Sequence, residues 1–116
     1  MEKDDYPEKL LSRIYTKSEY SILDIGCGEG IITIPLAHKV FKVTAFDLSC
    51  KMLDLLKEKA QEERLDNIKY IQGDLTDINL ETGGKYDIVV ASRVLDGVRD
   101  IETFIKNINQ LGEIFL

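Results

Sequence analysis

SILDIGCGEG, residues Ser21 to Gly30, decides the fold. Its first half, Ser21 to Ile25, is a short apolar run of the kind that forms a buried strand. The run stops at Gly26, Gly28 and Gly30, which alternate with Cys27 and Glu29, and resumes at Ile31 with a helical pattern. Strand, glycine turn and helix in that order open a nucleotide-binding βαβ unit. Glycine suits such a turn because it adopts backbone angles that a Cβ forbids and lets a ligand lie against the main chain.

Ahead of this stretch, Leu10, Leu11, Ile14 and Tyr15 recur at helical spacing and predict an N-terminal helical segment within residues 1–20, with Pro7 tolerated in its first turn. Behind it, Ile31, Ile32, Ile34, Leu36, Ala37 and Val40 predict an apolar helix whose regular start Pro35 delays or bends. Lys42 to Phe46 is a second strand with Asp47 at its end. Ser49 then caps a helix that places Met52, Leu53, Leu56 and Ala60 on one face and Lys57, Glu58, Glu62 and Glu63 largely on the other. Ile68 to Gln72 makes a third strand ending at Gly73 and Asp74. From Leu75 to Lys85 the pattern fades toward Gly83-Gly84, as in a loop with at most a short helix. Tyr86 to Ser92 carries a continuous apolar run and forms a fourth strand. Asp100 caps a helix bearing Ile101, Phe104, Ile105, Ile108 and Leu111, ended by Gly112, and Glu113 to Leu116 begins a fifth strand.

This alternation calls for an α/β fold, a doubly wound parallel sheet with helices on both faces. The expected organisation is one domain over residues 1–116, an N-terminal helical segment followed by a βα core at 21–116. With 44% apolar residues the chain can bury an ordinary core. Lys plus Arg number 15 against 21 Asp plus Glu, a formal charge of −6, which argues against nucleic-acid or anionic-membrane partners. The two cysteines, Cys27 and Cys50, form no CxxC pair and no metal-ligand spacing, so no metal is expected. The charged start MEKDDYPEKL and the absence of a long apolar window point to a cytoplasmic protein.

In a sheet of this kind the ligand lies outside the C-terminal ends of the strands. Three strand ends bear on that crevice: the glycine turn, Asp47 and Asp74. Asp47 follows Gly26 by 21 residues, close to the separation at which a carboxylate meets ribose hydroxyls. Asp47 by itself could be a solvated loop acid; beside the glycine turn it becomes a ligand residue. A dinucleotide site wants Gly-x-Gly-x-x-Gly, whereas position 31 is Ile and the third glycine falls at Gly30. No Gly-Lys-Ser/Thr follows, which excludes a phosphate-binding P-loop, and Asp24 adds a negative charge before the turn. Such a turn suits a ligand carrying an ammonium or sulfonium and no phosphate.

Leu23-Asp24-Ile25-Gly26-Cys27-Gly28-Glu29-Gly30 resembles motif I of the class I S-adenosylmethionine-dependent methyltransferases. The likeness continues through Phe46-Asp47-Leu48-Ser49, Gly73-Asp74-Leu75 and Tyr86 to Ser92, and spans nearly everything from Tyr20 to Leu116. It implies a Rossmann-like sheet of strand order 3-2-1-4-5, with S-adenosylmethionine as cofactor and S-adenosylhomocysteine as product. It further implies that the backbone around Gly26, Cys27 and Gly28 approaches the methionine part, with Asp24 holding its ammonium. Asp47 would bind the ribose, Leu48 flank the adenine, Asp74 and Leu75 bond the adenine edge, and Ala91 and Ser92 close the methionine side.

Methyl transfer is an in-line displacement in which alignment supplies much of the acceleration, so no dedicated nucleophile is demanded and no catalytic residue is assigned. Arg93 and Asp96 stand where a substrate-facing residue could sit, though exposed helix charges explain them more simply. His38 fits a last helical turn, Cys27 a small packed residue, Cys50 a helix residue, and Tyr6, Tyr15 and Tyr20 a cover over the sheet more readily than a lid. The family usually continues into a helix and two antiparallel strands, and often carries Pro-Gly-Gly before strand five, where this chain has Gln110-Leu111-Gly112-Glu113. Without those strands, Ile114, Phe115 and Leu116 would form an open edge that invites a homodimer or another partner. Two functions follow: methylation of a small-molecule acceptor, or a truncated, non-catalytic module that holds the cofactor, or nothing, and serves a partner protein.

Overall fold

The computed structural model describes residues 6–92, 94 and 98–116. Five strands, β1 (Ser21–Ile25), β2 (Lys42–Asp47), β3 (Ile68–Gln72), β4 (Ile88–Ala91) and β5 (Glu113–Phe115), form one sheet in the order β3-β2-β1-β4-β5. Every neighbouring pair runs parallel, with Ile22 opposite both Val43 and Ile88. The order follows from composition. IVVA is apolar throughout and SILDI is apolar but for Ser21 and Asp24; both take the middle, where both faces are covered, while the mixed strands IKYIQ and EIF lie at the edges. Chain progression reverses between β1 and β4, so a crevice opens at their C-terminal ends.

Alternate residues feed opposite faces, as pleating requires. Ile22, Val43, Ile88 and Val90 pack with Leu10 of α1 (Tyr6–Arg13) and Leu36 of α2 (Thr33–Ala37). Leu23, Ile25, Phe46, Val89 and Ala91 face the other way, against Ile78 of α4 (Ile78–Thr82) and Phe104 and Ile108 of α5 (Ile101–Asn109). Leu53, Leu56 and Ala60 of α3 (Cys50–Glu62) cover Ala45 and Ile34. Leu56 and Ile108 are fully buried, sites where truncation to alanine typically costs about 2–5 kcal/mol.

The Ser49 cap is present, its Oγ accepting the Met52 amide at 3.2 Å, and Asp100 caps α5 through the Thr103 amide at 3.1 Å. The helix after the glycine turn is shorter than its apolar run suggests. Only Thr33–Ala37 is helical, Pro35 falls in that single turn, where its missing N–H matters least, and Ile31 is exposed. Met52 does not join the buried face of α3; at 39% exposure it looks into the crevice. Tyr15 lies beyond the end of α1 and is exposed, because the helix stops at Arg13. The connection after β3 holds a 3-10 turn at Leu75–Asp77 followed by α4, anchored by the buried Ile78.

Candidate functional site

The glycine turn hangs from the end of β2. The amides of Gly26 and Cys27 both donate to the Phe46 carbonyl, at 2.7 and 3.2 Å. The Gly28 amide donates to Asp47 Oδ2 at 2.8 Å, and the Gly30 amide to the Cys27 carbonyl at 3.1 Å. Asp47 Oδ1 takes the Ser49 amide at 2.9 Å, so one carboxylate joins the turn to the start of α3. A loop that cradles phosphate aims its free N–H groups at the ligand. Here those of Gly26, Cys27, Gly28 and Gly30 already have partners. Gly28 has φ +56° with no heavy atom of the described residues beyond its chain neighbours within 4 Å of where a Cβ would stand, whereas a Cβ at Gly30 would fall 2.2 Å from Leu56 Cδ1.

Asp24, inside β1, is almost wholly buried. Its Oδ2 accepts the Thr33 hydroxyl at 2.6 Å, and its Oδ1 has no partner among the described residues. Burial, with the nearby Asp47 charge adding to it, pushes the carboxyl up to about 7, and the Thr33 hydrogen bond works against that rise. A buried acceptor without a donor is costly, and a cation placed against it would remove the cost. Burial and the same two carboxylates push the Cys27 thiol far up, so it holds no thiolate for nucleophilic work.

Two hollows adjoin the strand ends. One of about 260 Å³ is lined by Asp24, Gly26, Cys27, Gly28 and Ser92, with Tyr6 and Met52 on its rim. The other, of about 570 Å³, is lined by Leu48, Asp74, Leu75 and Thr76 on one side and Thr103 and Phe104 of α5 on another. Asp47 lines neither and stands between them through its bond to Gly28. Ala91 is buried behind Ser92. Asp74 is exposed, and the amide and hydroxyl of Thr76, both on its Oδ1 at 3.0 Å, hold its carboxyl below the usual range. Arg93 and Asp96 lie outside the described residues.

Thr33 and Met52 were not singled out as site residues from the sequence. Thr33 did leave a trace: it is the one hydroxyl within the apolar stretch Ile31 to Ala37. Met52 left none, since its spacing reads equally well as core.

Residues 22–112 match the methyltransferase-domain family. The chain is 37% identical over 103 residues to the ubiquinone biosynthesis O-methyltransferase of Rickettsia prowazekii, covering 89% of this chain and 40% of that protein. It is 34% identical over 100 residues to the malonyl-[acyl-carrier protein] O-methyltransferase of Priestia megaterium, covering 84% and 35%. Among solved structures, the magnesium protoporphyrin IX methyltransferase of Synechocystis, with bound S-adenosylmethionine, superposes with a TM-score of 0.73 at 29% identity over 94% of this chain and 52% of that one. The Haemonchus contortus phosphoethanolamine N-methyltransferase 1 shares the fold, with a TM-score of 0.82 at 20% identity over 95% and 23% of the two chains. The protein belongs to the class I S-adenosylmethionine-dependent methyltransferase family. It spans less than half the length of the curated relatives it matches.

Proposed function

We propose that this chain binds S-adenosylmethionine in the crevice above β1 and β4 and transfers its methyl group to an oxygen of a small-molecule acceptor. The observation that carries the assignment is the buried Oδ1 of Asp24, unpartnered among the described residues, beside a turn in which the amides of Gly26, Cys27, Gly28 and Gly30 are already engaged. That combination favours a cationic amino-acid group over a phosphate. The curated O-methyltransferase relatives put oxygen first among accepting atoms.

In this arrangement Asp24 accepts from the cofactor ammonium, while Gly26, Cys27 and Gly28 let its methionine part lie against the main chain. Asp47, already fixed by two amides, offers remaining lone pairs to the ribose hydroxyls. Leu48 and Leu75 present apolar surface to the adenine in the larger hollow, with Asp74 at its edge. Ser92, with Ala91 behind it, closes the methionine side. When bound, the cofactor supplies an electrophilic methyl on a sulfonium, and the protein contributes alignment and exclusion of water.

Calorimetry with S-adenosylmethionine, S-adenosylhomocysteine and NAD tests the assignment, followed by transfer of labelled methyl into a panel of hydroxylated acceptors. Binding of the first two without NAD is expected. Binding of NAD alone would overturn it, and cofactor binding without transfer by the full-length protein would favour a non-catalytic module.

A further inference from the structure

Thr33 is fully buried within an otherwise apolar stretch, a place where valine would fill the same space without bringing a hydroxyl into the core. That hydroxyl makes a short bond of 2.6 Å to Asp24 Oδ2, across the gap between α2 and β1. With Oδ2 occupied, Oδ1 is the carboxylate atom left without a donor among the described residues. We infer that Thr33 is a positioning residue for cofactor binding: by tying Oδ2 of Asp24 it fixes Oδ1 as the acceptor for the ammonium of the bound ligand. The inference rests on the cofactor assignment proposed above.

The groups around Asp24 explain why a hydroxyl is needed there. Asp47, at the end of β2, raises the proton affinity of Asp24, as does burial itself. In the turn, the Cys27 thiol stays neutral and Glu29 is paired with Lys59 at 3.2 Å. Tyr6 of α1 and Ser92 after β4 share the same hollow. Thr33 is the group that favours the ionised carboxylate. Without it a proton would stay on Asp24 to higher pH and compete with the ammonium for the same atom.

The test is calorimetric titration of S-adenosylhomocysteine from pH 6 to pH 8.5 into the wild-type protein, Thr33→Val, Thr33→Ala and Thr33→Ser. Loss of a hydrogen bond to a charged group should move the acid limb of binding upward by about one pH unit, so that Thr33→Val binds roughly tenfold more weakly at pH 6.5. At pH 8.5 the variant should approach wild type, and Thr33→Ser should restore the wild-type profile throughout. Thr33→Ala must show the same displacement, which keeps the test open if the valine variant folds poorly. Equal weakening at every pH, or none, would overturn the role of Thr33 while leaving the cofactor assignment intact. Failure of the wild-type protein to bind S-adenosylhomocysteine at any pH would instead remove that assignment and this one with it.

Discussion

The carboxylate of Asp47 meets the amide of Gly28 at 2.8 Å, across nineteen residues of chain. The ends of β1 and β2 therefore form one unit, and the residue proposed to bind ribose also sets the shape of the glycine turn. Replacing it should disturb both. Asp47→Ala is expected to weaken S-adenosylhomocysteine by about 1–3 kcal/mol, the usual range when buried partners lose a charged acceptor, and to lower the melting temperature. Asp47→Asn would set an amide donor against one of the two backbone donors and should fall between. Calorimetry and thermal melts measure these; an unchanged affinity in Asp47→Ala would remove it from the site.

Two glycines of the turn should separate folding from binding. At Gly28 the left-handed φ of +56° costs an alanine about 1 kcal/mol, and its Cβ meets no other described residue. Gly28→Ala is expected to fold with slightly reduced stability and to lose most cofactor affinity, since the new methyl would stand in the crevice. At Gly30 the Cβ would strike Leu56, a core residue, so Gly30→Ala should be markedly less stable. Denaturant melts beside binding titrations of both variants show whether the losses divide this way.

Asp24 should make stability depend on pH with a sign opposite to that of an ordinary salt-bridged carboxylate. Its folded value of about 7 lies above the usual 3.8, so between those limits the folded state holds a proton that the unfolded state has lost. Stability from this group is full below pH 4, falls as pH rises and levels off above 7, a loss of up to about 3 kcal/mol between pH 5 and pH 8. Asp74 and Asp100, whose carboxyls are held low, contribute in the opposite sense, and only below about pH 4, outside that interval. Asp24→Asn should abolish the Asp24 component and bind cofactor poorly. The wild-type and variant melting curves at pH 5 and pH 8 decide the matter; parallel pH dependence in the two would refute it.

The two thiols should respond differently to alkylation. Cys50 is exposed at the start of α3, while Cys27 is buried and its thiolate disfavoured by two carboxylates. Iodoacetamide at pH 8 is expected to label Cys50 alone in the folded protein, with cofactor binding retained, and to label both after unfolding. Peptide mass mapping reads the outcome directly.

The sheet could be read from the chain because its central strands carry apolar residues on both faces, Asp24 being the exception, and the Ser49 and Asp100 caps could be read from single residues. The place of Asp47 at the end of β2 and of the glycines just after β1 was likewise legible from their spacing. The short reach of α2 was not, because Ile31 to Val40 is apolar enough for either a long or a broken helix, and tertiary packing around Pro35 decides. Met52 escaped for a related reason: one apolar face of α3 serves both the core and the rim of the crevice. The partnership of Thr33 with Asp24 joins residues nine apart through a change of direction that the sequence does not encode locally.

The double donation of Gly26 and Cys27 to the Phe46 carbonyl limits how this crevice can be redesigned. Moving a glycine to restore a dinucleotide spacing would leave those amides bound, and releasing them would unfasten β1 from β2 where the sheet is most completely buried. A change of ligand class would thus demand a new junction between two strands, so the fold ties the protein's evolutionary options to the chemistry of its first turn.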